Sequence, residues 1–65
     1  MNILQEIKSL QDKKQTVRTN NEFNKIEKQI LGLAKMYNEQ NHRERFFIYN
    51  NNVYGLESNP NYLND

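Results

Sequence analysis

The sequence predicts an α+β protein, mainly α: an antiparallel helical hairpin, a short β-hairpin and a polar tail in one domain of 65 residues. Three observations predict it. Phe23, Ile26, Ile30, Leu33 and Tyr37 alternate at three- and four-residue steps, which keeps them on one side of a helix. A second apolar stripe, Ile3, Ile7, Leu10 and Val17, precedes it out of phase. After Arg45 the chain turns to β-formers, Phe46-Phe47-Ile48-Tyr49 and Val53-Tyr54, on either side of Asn50-Asn51-Asn52.

The first helix is expected over residues 2–18. Asn2 can cap it, Glu6 suits its early turns, and Lys13, Lys14 and Arg18 suit its carboxyl end. Leu4 widens the stripe, whereas Lys14 interrupts it. At about 100° per residue, the second stripe lies roughly 160° around from the first, so one straight helix would carry opposite apolar faces in its two halves. A continuous helix with its faces against different chains is the alternative. A break is preferred, because Thr19-Asn20-Asn21-Glu22 supplies helix-stopping Asn and a Thr-x-x-Glu cap.

The second helix is expected over residues 21–41, with Phe23, Ile26, Ile30, Leu33 and Tyr37 as core or oligomer seam and Leu31, Ala34 and Met36 on its flanks. Gly32 inside it costs ~1 kcal/mol relative to Ala. It marks either a close helix approach together with Ala34 or a weak spot. A β-hairpin is expected over residues 45–57. With Asn51-Asn52 as its loop, Tyr49 would pair with Tyr54 and Phe47 with Leu56 on one face, leaving Phe46, Ile48, Val53 and Gly55 on the other. Both faces would then be apolar, one covering the helices and one in want of a partner. Residues 58–65 read as a polar tail. Its Asn59-Pro60-Asn61-Tyr62 has the form of a turn motif read by phosphotyrosine-binding-type domains, a four-residue match that an Asn-rich chain produces by chance.

Composition narrows the function classes. A chain this short buries roughly 60% of its unfolded surface and sits near the margin of independent stability. It has no cysteine and one histidine, His42, so disulfides and thiolate or classical zinc sites are excluded, and no metal or cofactor is expected. Association is the remaining remedy, and a homodimer or small homo-oligomer is expected. Mean hydropathy is −1.08, yet seven aromatics and clear periodicity argue for a folded chain. No apolar run approaches ~18 residues and no leader is visible, so no membrane span is expected. Twelve asparagines suggest an AT-rich coding sequence, as in low-GC bacteria and their phages, hence a cytoplasmic setting in a bacterial or phage-infected cell.

No converging catalytic set is present: no nucleophile–base pair, no Gly-rich phosphate loop and no paired carboxylates. His42 beside Arg43 and Glu44 reads as a solvated helix end rather than a general base. Lys28, Lys35 and His42 recur every seven residues opposite the seam, with Lys25 nearby, a row that could neutralise phosphates. Arg43 and Arg45 beside Phe46-Phe47 could likewise serve single-stranded nucleic acid. Glu39 sits at ion-pair spacing from Lys35, the charge is only +1, and the basic excess is mild, so a solvated face is preferred. Nine basic and six acidic residues lie through Arg45, and two acidic with no basic residue follow it. The favoured contact surface is Phe46, Phe47, Tyr49, Tyr54 and Leu56, since aromatic residues are enriched at interface hot spots. The expected role is therefore a non-catalytic interaction protein, such as a phage- or mobile-element-encoded inhibitor or adaptor docking on a host protein. A small nucleic-acid-binding regulator using Lys25, Lys28, Lys35, Arg43 and Arg45 is the alternative.

Overall fold

A computed structural model describes residues 2–58; the tail from residue 59, with its Asn59-Pro60-Asn61-Tyr62 turn, lies outside the described residues. The elements follow in the order α1 (Ile3–Lys14), α2 (Asn20–Gln40), β1 (Glu44–Tyr49) and β2 (Asn52–Ser58). The two helices form the expected hairpin, and the two strands form an antiparallel sheet.

Helix α1 begins where Asn2 caps it, its side-chain oxygen accepting from the Gln5 N–H at 3.2 Å. It ends at Lys14, four residues earlier than the stripe predicts. The Thr16 hydroxyl and the Thr16 N–H both donate to the Lys13 carbonyl, at 2.8 and 3.0 Å, which offers the backbone an exit from the helix. The chain needs those residues to reverse direction. Val17 therefore reaches the core from the connection and not from a helix. Thr19 then caps α2, accepting from the Glu22 N–H at 3.2 Å. At the far end Asn41 closes the helix twice on the Tyr37 carbonyl, through its backbone at 2.9 Å and its side-chain amide at 3.1 Å. Helix α2 thus starts and stops one residue before the range expected from sequence, within the ordinary uncertainty of helix ends.

Among the described residues the core is six: Ile7 of α1, Ile26, Ile30, Ala34 and Tyr37 of α2, and Phe46 of β1. Ile3, Leu10, Val17, Leu33, Ile48 and Val53 pack around it. Of the predicted seam, Ile26, Ile30 and Tyr37 are buried and Leu33 is half-buried, but Phe23 stays exposed. Beyond the early end of α1, Phe23 is 39% exposed and meets Lys14, whose ammonium lies 5.4 Å from the ring centre and 2.8 Å from Glu27. Lys14 thus breaks the stripe in order to bridge the helices. Ala34 is wholly buried, whereas a Cβ at Gly32 would meet nothing, so the close approach is at Ala34 alone. The radius of gyration is 12.8 Å, above the ~11 Å of a compact chain this long, and the shortest extent is 15 Å. So thin a body has little interior.

The sheet departs from the predicted register. Asn50 and Asn51 form the loop, with φ of 50° and 63°, the left-handed pair a tight hairpin requires. The strands pair Tyr49 with Asn52, Ile48 with Val53, Phe47 with Gly55 and Phe46 with Leu56. The loop lies one residue earlier than expected, and Tyr54 is an extra residue bulged out of β2. Three consecutive asparagines allow either loop. Ile48 and Val53 keep to the side that meets the core, as in the expected register, and now pair directly, with the bulge at Tyr54 taking up the shift. Gly55 consequently joins Phe47 on the outer face, and Leu56 moves to the inner side opposite Phe46, the reverse of the sequence expectation for both.

Candidate functional site

One side chain of α2 holds the edge of the hairpin. Asn38 accepts from the Phe46 N–H at 2.7 Å and donates to the Phe46 carbonyl at 3.1 Å. A helix residue thus takes the place of a neighbouring strand along the free edge of β1. Phe46 completes the attachment, its ring edge-on to Tyr37 with centroids 5.3 Å apart. Phe46 was expected on the contact surface; it is 7% exposed and belongs to the core.

Outward from this anchor the hairpin's other aromatics are exposed among the described residues. Phe47, Tyr49 and Tyr54 are 44%, 60% and 62% exposed. Alternation along β1 sends Phe47 and Tyr49 away from α2, and the bulge turns Tyr54 the same way. The predicted Tyr49–Tyr54 pair is replaced by Phe47 against Tyr54, with ring centroids 5.5 Å apart. Leu56 is 43% exposed although it lies opposite Phe46, because it is on the strand farther from the Asn38 anchor. At the base of the face, Arg45 Nε donates to Glu57 Oε1 at 3.2 Å, so this end carries a neutral pair.

The basic residues do not gather on that face. Lys25, Lys28 and Lys35 are exposed along α2, and Arg43 is exposed in the connection to β1. Arg45 alone reaches the sheet, where Glu57 offsets its charge. Lys35 and Glu39, at helical ion-pair spacing, are both exposed and form no ion pair.

Among the described residues no group of three His, Cys, Asp or Glu side chains could hold a metal ion, and no helix is long and apolar enough to cross a membrane. An open depression where α2 meets β1 is lined by Tyr37, Gln40, Asn41, His42, Arg43 and Glu44. Here burial raises the Tyr37 phenol above its ordinary 10.0, and the Glu44 carboxylate adds to the rise by its charge and by accepting from the phenol at 3.5 Å. The folded chain therefore holds the Tyr37 proton more tightly than the unfolded one. Folding stability is insensitive to this group below pH 10 and falls as pH rises through and beyond it. Thermal melts between pH 9 and 11 should show Tyr37→Phe losing less stability than the wild type. Parallel curves would show that the phenol is not coupled to folding.

The sequence matches no protein-family model, and neither the curated proteins nor the solved structures contain a significant match.

Proposed function

We propose that the chain is a small non-catalytic protein-interaction module whose contact surface is the outer face of the hairpin. One observation carries this reading: Phe47, Tyr49 and Tyr54 stand together, largely exposed, on a strand pair anchored from behind by Asn38 and Phe46. Rings on a fixed backbone offer contact area at little cost in side-chain entropy, and exposed aromatics of this kind supply interface hot spots. An adaptor or inhibitor that acts by occupying a surface requires only such a presented patch. The nucleic-acid alternative has weaker support, since the lysines lie along α2, away from the rings, and Arg45 is paired with Glu57.

The test is the double substitution Tyr49→Ser with Tyr54→Ser. Self-assembly measured by light scattering, or capture of a partner from a bacterial lysate, should be lost while far-UV circular dichroism keeps its helical signal. Unchanged assembly together with an unchanged captured set would overturn the proposal.

A further inference from the structure

We infer that the occupant of this outer face is a second copy of the chain, stacked sheet on sheet about a two-fold axis that runs along the strands between β1 and β2. This rests on the outer face being a contact surface, and it adds the partner and the geometry.

The starting point is Gly55. A glycine inside a strand weakens it, and one usually marks a bulge, a left-handed backbone angle, a crowded neighbour or a close external approach. Gly55 adjoins the bulge at Tyr54, but it has no positive φ, so this bulge is not of the kind that requires a glycine, and a Cβ there would meet no atom within 4 Å. It lies opposite Phe47 in the register and shares the outer face with it. The glycine therefore leaves a gap beside the exposed Phe47 and Tyr54 rings that nothing among the described residues fills.

A two-fold axis along the strands lays β1 of each copy over β2 of the other. Stacked sheets stand about 10 Å apart with strands aligned within about 30°. At a given height along the hairpin, each residue then meets the register partner of its own position. Phe47 pairs with Gly55, so the ring of each copy drops onto the glycine of the other. Arg45 pairs with Glu57, so each guanidinium also faces the carboxylate of the second copy, and the two ion pairs cross with opposite charges opposed. Tyr49 comes over Asn52, a neutral turn residue. The face is self-complementary in shape and in charge, which an isologous contact requires.

The area is consistent with a reversible dimer. At their observed exposures the three rings offer roughly 250–400 Å² per copy. A standard interface uses about 800 Å² per partner, so the rings supply about a third to a half of one, as suits a weak, reversible contact.

Gly55→Ala separates this arrangement from its alternatives, because its methyl has room in the isolated chain and obstructs only the second copy. Sedimentation velocity on the full chain over a range of concentrations should show the wild type passing from monomer to dimer. Gly55→Ala should dimerise about tenfold more weakly or worse, as expected when a packed contact is overfilled. Its melting temperature at concentrations below dimerisation should be unchanged or raised. A Gly55→Ala dimer as tight as the wild type would overturn the stacking, as would a wild type that stays monomeric at every concentration. If the wild type is monomeric but Tyr49→Ser/Tyr54→Ser still abolishes capture of a foreign protein, the stacking falls and the contact-surface reading stands. If neither substitution changes assembly or capture, both fall.

Discussion

Ile30→Ala is expected to leave this chain largely unfolded at room temperature. Ile30 is 1% exposed and sits midway along α2, in the same buried cluster as Ile7, Ile26 and Ala34. Truncating a fully buried isoleucine to alanine costs about 2–5 kcal/mol, from lost transfer energy and the cavity left behind. A domain of this size, with no disulfide or metal to reinforce it, has about 3–5 kcal/mol in total. The loss therefore approaches the whole stability. Met36→Ala on the same helix is the control: Met36 is 45% exposed, and the change should stay within about 0.5 kcal/mol. Urea titration followed by circular dichroism reads both. An Ile30→Ala chain with a wild-type midpoint would mean that the core is not organised around α2.

Asn38→Leu is expected to release the β-hairpin while leaving the helical hairpin in place. Leucine has nearly the same shape, but it can neither accept from the Phe46 N–H nor donate to the Phe46 carbonyl. Two part-buried strand groups then lose their partners, at about 1–3 kcal/mol each. Only Phe46 and its inner-face neighbours would still hold the sheet, and an unsupported two-stranded sheet is marginal in water. Amide and aromatic NMR signals of Phe46–Leu56 should collapse toward random-coil positions while those of Ile7–Ile30 persist. Retained dispersion across the hairpin would show that apolar contact alone holds it on α2.

How much of this was legible in the sequence varies element by element. The α2 stripe could be read directly, because three- and four-residue spacing leaves only one side of a helix apolar. The Thr19 cap and the existence of a hairpin at the asparagines were equally local. The end of α1 was not, because apolar spacing continues to Val17 and the signal that stops the helix is a hydroxyl at Thr16 competing for one carbonyl. The role of Asn38 was not local either. Nothing local distinguishes an asparagine that faces water from one that meets a strand eight residues later, since that depends on where the strand lies.

The contact surface shows the same division. That aromatics would be exposed followed from composition, since a small polar chain cannot cover seven of them. Which of them are exposed depended on which face of the hairpin meets the core, and three asparagines in a row leave the register, and with it the faces of Gly55 and Leu56, open. The tertiary structure settled it by placing Ile48 and Val53 against the core, which sent Phe46 inward, Phe47 and Tyr54 outward and Gly55 beneath them. Period and capping are properties of neighbouring residues, and the chain carries them wherever it goes. Register is decided by what lies across the fold, and α2 supplies that only once both hairpins have closed on it.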